Sequence, residues 1–186
     1  PPWGRARGGS ARRELGPKEG LALINGTQVM TAVAALALCD AERLAASADV
    51  VAAMSVDAME GTDTAFLAEI HEARPHPGQL ASARALWAVL QGSEMRAAHV
   101  ACTRVQDAYC LRCTPQVHGA CRDALAHLRA KLEVEVNAAT DNPMVLPDGR
   151  VVSVGNFHGA GVAAAFDYAA VALTGLASIS ERRSAR

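Results

Sequence analysis

Between Gln106 and Arg112 the chain sets an amide, a carboxylate, a phenol and a guanidinium, on Gln106, Asp107, Tyr109 and Arg112. Tyr109 and Arg112 are three residues apart, so one helical turn projects both to the same side. The guanidinium offers a planar fork of donors that suits a carboxylate. A phenol beside such a cation gives up its proton more readily, as a base or proton shuttle must. The same residues would also serve as a surface turn tied by an internal Gln/Asp/Arg network. His71 and His76, on either side of Arg74-Pro75, are further candidates, although a loop histidine is commonly just solvated.

A metal is the competing chemistry. Cys110, Cys113, His118 and Cys121 form C-x2-C-x4-H-x2-C, which raises a zinc site. A zinc knuckle sets its last cysteine further on, however, and Thr114-Pro115 begins a helix inside the supposed loop. No basic or aromatic surface accompanies the motif. Buried thiols are the simpler expectation, and no metal is expected.

The elements that position these groups follow from composition. The 186-residue chain is 51% hydrophobic but only 4% aromatic, and the excess is alanine. Alanine-rich helices approach closely but each buries little area, so many of them must meet. The expected class is all-α: a bundle of long helices with one small β-hairpin. A net charge of -1 gives no reason to expect a nucleic-acid or membrane partner. Five irregularly spaced cysteines suggest a reducing, cytoplasmic setting.

Residues 1–17 are rich in Gly, Pro and Arg without apolar periodicity and are expected to form a disordered or non-native arm. Residues 18–186 are expected to form one helical unit continuing beyond both ends. Asn25-Gly26 marks a turn, and Thr27 is placed to cap a helix from Gln28 to about Glu60, with a break near 46–49. Val29–Cys39 is apolar on every side, which predicts a central position. Gly61 ends this unit, Thr62-Asp63 is placed to cap a short helix through Glu72, and Arg74–Gln79 turns the chain into a helix ending at Leu90. Thr114 is expected as a cap, with Pro115 at the first position of a helix to about Asn137. Val117, Cys121, Leu125, Leu128 and Leu132 share a face of that helix. Asn142-Pro143 stops the run, 144–154 reads as a hairpin, and a helix follows from about Gly161 to Arg182. That last helix carries one charge through Ile179, Asp167. Placed mid-membrane it would cost about 2.5–3.5 kcal/mol, with alanine offsetting little, so burial in an oligomeric bundle is expected instead.

The stretches KEGLALINGTQ (18–28), RPHPGQ (74–79), VQDAYCLRCTPQVHGA (105–120), ATDNP (139–143), GNFHG (155–159) and SISERR (178–183) follow one another in this order. Together they resemble the histidine ammonia-lyase branch of the aromatic amino acid lyases, over almost everything after residue 17. The resemblance implies a piece of a fumarase/aspartase-like helical lyase fold, assembled as a homotetramer with active sites shared between subunits. It implies non-oxidative deamination of L-histidine to trans-urocanate, using a methylidene-imidazolone electrophile made from an Ala-Ser-Gly tripeptide. This sequence contains no Ala-Ser-Gly, which in the family lies upstream, so the isolated piece is expected to be inactive.

Carried over by position, Asn25 would contact the carbonyl of the electrophile and Arg112 would bind the substrate carboxylate with help from Asn142. Tyr109 would be the acid/base group, Gln106 and Phe157 would line the pocket, and His158 would stand beside it. Cys110 occupies a position where serine is usual, and is expected to point beside the pocket. Val154 occupies one where glycine is usual, and would be strained if that position needs a positive φ. The same family also holds tyrosine and phenylalanine ammonia-lyases and aminomutases. A catalytically inactive helical oligomerisation fragment is a further alternative.

Overall fold

A computed structural model of the chain describes residues 14–99 and 104–186. The expected arm therefore falls mostly outside the described residues. Glu19–Ala22 forms a single turn, α1, followed by α2 (Gln28–Ala58), the longest element. A short 3-10 turn (Thr64–Phe66) leads to α3 (Ala68–Glu72), α4 (Pro77–Leu90) and α5 (Glu94–Ala98). Next come α6 (Tyr109–Arg112) and α7 (Thr114–Glu135), then the strands β1 (Met144–Val145) and β2 (Val151–Val152), and finally α8 (Ala160–Ser184). The all-α architecture with one small hairpin is as expected. The hairpin pairs Met144 with Val152 and Val145 with Val151, its turn held by Gly149 at φ 85.

Helix α2 runs for 31 residues without the expected break near 46–49. The polar residue in that region, Asp49, turns inward rather than to solvent and finds partners on two other helices. His118 Nδ1 donates to it at 2.7 Å and Arg122 Nη2 at 2.5 Å, from α7, and Ser82 Oγ donates at 3.3 Å from α4. A buried carboxylate so satisfied stabilises a continuous helix instead of interrupting it.

Helices α2, α7 and α8 pack together over Ala34, Leu38, Leu125, Leu128, Leu132, Val162, Ala165 and Ala169. Of the face predicted on α7, Cys121, Leu125, Leu128 and Leu132 are buried there, whereas Val117 is half-buried and packs elsewhere. A second core lies at the other end of α2, where Ala52, Ala53 and Val56 meet Phe66, Leu86, Leu90, Leu111 and Ile179. The segment Val29–Cys39 is not central within one chain. Thr31, Ala34 and Leu38 are buried, whereas Val29, Val33 and Leu36 stay exposed because α7 and α8 cover one side only. Helix α8 is long and apolar enough to cross a membrane; Val162, Ala165, Ala169, Leu176 and Ile179 form its buried face.

Two expected caps take other roles. Thr27 stands at the N-cap of α2, but its hydroxyl donates to Glu135 Oε1 at 2.6 Å, tying the start of α2 to the end of α7. Thr114 is the first residue of α7 rather than its cap, with Pro115 one place further in. Its hydroxyl donates to the carbonyls of Leu111 (2.8 Å) and Cys110, so α6 and α7 are joined at their junction.

Candidate functional site

The guanidinium and phenol are built on the end of α2. Glu60 takes the left-handed conformation (φ 53), the amide of Gly61 reaches the carbonyl of Val56 at 2.7 Å and that of Glu60 reaches Asp57 at 3.0 Å. This bonding closes α2 as a Schellman turn and aims the next amide, Thr62 N–H, out of the helix end. The carboxylate of Asp107 accepts it at 2.6 Å. Asp107 is buried, and its own carbonyl accepts from Arg112 Nε at 2.9 Å. The Arg112 guanidinium lies 4.6 Å from the centre of the Tyr109 ring, within reach of a cation–π contact. Tyr109 and Arg112 thus share one turn and one side, as their spacing predicts. Among the described residues the two Nη atoms of Arg112 have no hydrogen-bond partner, and Tyr109 is 72% exposed. Nε of Arg112 is thus spent internally, and the outer edge of the fork is not.

An open cavity of about 660 Å³ borders this turn, lined by Tyr109, Cys113, Val117, Ile179 and Arg182 among others. Cys110 borders the same cavity, beside it as expected. Its residue is buried in the second core, while its carbonyl accepts from Arg183 Nη1 at 3.4 Å. Arg183 is buried too, bonded to Thr114 Oγ1 at 3.2 Å and facing His118 Nε2 at 3.4 Å. Burial lowers the pKa of its guanidinium. Gln106 is exposed and borders a different cavity, with Glu60, Thr62, Arg96 and His99.

The second cluster stands at the opposite end of α2. Asn25 Nδ2 donates to the carbonyl of Asn142 at 2.8 Å. The side-chain oxygen of Asn142 accepts from Val154 N at 2.8 Å and Ser153 Oγ at 3.2 Å, which fixes the hairpin exit against this loop. Lys18 pairs with Asp141 at 2.5 Å, and its ammonium holds that carboxyl below the usual carboxylate range. Asn156 Nδ2 bonds the carbonyl of Ala139, and Gly159 lies so close to Met30 that a Cβ there would come within 2.4 Å of the sulfur. Phe157 and His158 are therefore carried to the same end as Asn25 and Asn142, both exposed; His158 Nδ1 accepts from Ala160 N at 3.2 Å. Val154 is not among the positive-φ residues, so its side chain brings no backbone strain.

Between the clusters runs the whole of α2, about 46 Å at 1.5 Å per residue. Helix α8, about 37 Å long by the same rise, starts just after Phe157 and His158 and ends with Arg183 under Cys110. Tyr109, Arg112 and Gln106 consequently lie at one end of the chain, and Asn25, Asn142, Phe157 and His158 at the other.

The remaining candidates resolve as structure. His71 is fully buried, with Nε2 on the carbonyl of Ala65 (3.0 Å) and Nδ1 accepting from Gln79 Nε2 (2.9 Å). His76 is exposed at the start of α4. The cysteine–histidine motif does not converge: His118 is taken by Asp49, Cys121 is packed in the first core, and burial pushes its thiol pKa up. What residue-by-residue reading missed is the buried Asp49–His118–Arg122–Arg183 network. The one signal for it was an aspartate inside the apolar run ADVVAAM.

The family model for aromatic amino acid lyases matches residues 5–186. A histidine ammonia-lyase from Anaeromyxobacter sp. (strain K) is 55% identical over 189 residues, covering 96% of this chain and 37% of that protein. The crystal structure of histidine ammonia-lyase from Trypanosoma cruzi superposes with a TM-score of 0.80 at 45% identity, over 91% of this chain and 31% of that one. A tyrosine aminomutase from Streptomyces globisporus superposes with a TM-score of 0.82 at 40% identity, over 92% and 36% respectively. The chain spans little more than a third of the length of the curated relatives it matches.

Proposed function

Because this chain belongs to the aromatic amino acid lyase family, we propose that the protein it is part of is a histidine ammonia-lyase, converting L-histidine to trans-urocanate and ammonia. The observation that carries the reading is the turn at 109–112, where a guanidinium with its outer edge uncommitted lies over an exposed phenol. The proton on the substrate's β-carbon is barely acidic, so its removal needs a fixed carboxylate, a positioned base and an electron sink. Arg112 holds the carboxylate through its Nη atoms, with the amide of Asn142 as a second donor. Tyr109 accepts or returns the proton at its phenol oxygen.

The electron sink in this family is a methylidene-imidazolone group, which when bound draws electron density from the substrate toward its carbonyl. Asn25 would donate to that carbonyl, with Phe157 and Gln106 as walls and His158 beside them. An amide donor next to an aromatic ring suits a polar ring that gathers negative charge. No Ala-Ser-Gly occurs in this sequence, so the group is contributed by residues other than these.

The length of α2 keeps Arg112 and Asn25 of one copy apart. A complete site therefore draws its residues from different copies, which supports a homotetramer with shared sites. The exposed apolar faces of α2 and α8, with Val29, Val33, Leu36, Phe166 and Val171, agree with burial against neighbours. The full-length protein given L-histidine should release ammonia and accumulate urocanate absorbance. Turnover of tyrosine or phenylalanine instead, or a β-amino acid product, would reassign it to another member of the family.

A further inference from the structure

We propose that Asp107 is a positioning residue that sets the aim of Arg112, without itself touching substrate; the inference rests on the carboxylate-binding role given to Arg112 above. Two bonds to one residue make the case. The Asp107 carboxylate accepts the amide of Thr62 at 2.6 Å, locking the segment ahead of α6 onto the closed end of α2. The Asp107 carbonyl accepts Arg112 Nε at 2.9 Å. With Nε held and the guanidinium carbon 4.6 Å from the centre of the Tyr109 ring, the edge left to grip an anion is the Nη edge.

The anchor is rigid on its far side as well. A Cβ added at Gly61 would meet Val56 Cγ1 at 3.1 Å, the Val56 carbonyl at 3.2 Å and Asp107 Oδ2 at 3.3 Å, so the carboxylate sits in a fitted notch of the helix end. Arg104 Nη1 lies 3.7 Å from Asp107 Oδ1 and balances its charge. An arginine side chain has many rotamers, and a bidentate grip needs one of them selected beforehand.

The test uses the full-length protein and three variants. Asp107→Ala and Thr62→Pro each remove the locking bond from one side, whereas Asp107→Asn keeps an oxygen to accept the Thr62 amide. For the first two, the inhibition constant of a carboxylate-bearing competitor such as the urocanate product should rise about tenfold or more. That of the decarboxylated amine, histamine, should hardly change, and Asp107→Asn should remain near wild type. In an Arg112→Ala background Asp107→Ala should add almost nothing, because the two act through one grip. Equal losses for both competitors, or additive losses in the double variant, would overturn the proposal and make Asp107 a fold residue only. Should Asp107→Ala fail to fold, Thr62→Pro against Asp107→Asn carries the same comparison. A wild-type protein with no affinity for the carboxylate competitor would instead sink the role of Arg112, a different failure visible before any variant is made.

Discussion

The two ends of α2 are built by opposite means. At its C-terminal end the Tyr109–Arg112 turn rests on buried charge: Asp107 beside it, Arg183 beneath it, and Asp49 with His118 behind that. At the N-terminal end Asn25, Asn142, Phe157 and His158 sit on loops, joined by amide bonds and one part-exposed ion pair. A side chain that must grip an anion in one geometry gains from a foundation that cannot relax. Loop residues left half exposed in one copy have the freedom to complete a surface supplied by another.

The comparison would be broken most severely at Asp49. Replacing it with alanine leaves Arg122 and the His118–Arg183 pair without their anion, and breaking a buried pair in this way costs about 3–5 kcal/mol. Denaturant unfolding of the full-length protein should register that loss, and a change within about 0.5 kcal/mol would show that the network is not a foundation. Arg112→Lys should act on function more than on folding. A lysine cannot offer the two-pronged edge, so kcat/KM should fall by an amount corresponding to about 1.5–3 kcal/mol, while the lost Nε bond to the Asp107 carbonyl should cost stability no more than about 1 kcal/mol. Unchanged kinetics would remove Arg112 from the site.

Two smaller effects sharpen the contrast. Glu60 occupies a left-handed position where glycine is the usual residue, and its contacts to His99 (3.5 Å) and Arg104 (3.7 Å) are long. Glu60→Gly should therefore leave stability the same or raise it by up to about 1 kcal/mol, read from the melting temperature. At the loop end Asp141 has its folded-state pKa lowered by the Lys18 hydrogen bond. A lowered carboxyl pKa stabilises the fold above the ordinary value of about 3.9 and loses that contribution as pH falls through the folded value. Acidification below about pH 4 should thus loosen the 18–25 segment, seen as a lower amide protection factor there, and Lys18→Ala should weaken the pH dependence, leaving the part that the backbone amide of Asn142 contributes.

Much of this was legible in the residues, and the exceptions share a cause. The spacing of Tyr109 and Arg112, the buried face of α7 and the hairpin at 144–152 are local periodicities, and each appears where spacing puts it. The break expected near 46–49 does not occur, because Asp49 finds its partners outside its own helix. Its partners, His118 and Arg122, lie 69 and 73 residues away. Thr27 holds the N-cap position of α2 but gives its hydroxyl to Glu135, 108 residues away, for the same reason; Thr114 bonds back to the carbonyls three and four residues before it, a local alternative to capping. The separation of Arg112 from Asn25 is likewise a fact of tertiary packing, set by an uninterrupted 31-residue helix.

The most direct test of the central claim, that each site joins the Arg112 end of one copy to the Asn25 end of another, is complementation. Full-length Arg112→Ala and Asn25→Ala proteins, each inactive alone, should regain measurable urocanate formation when co-expressed and co-purified. Some sites in the mixed assembly would then receive two intact halves. Mixed assemblies that form but stay as inactive as either parent would contradict it.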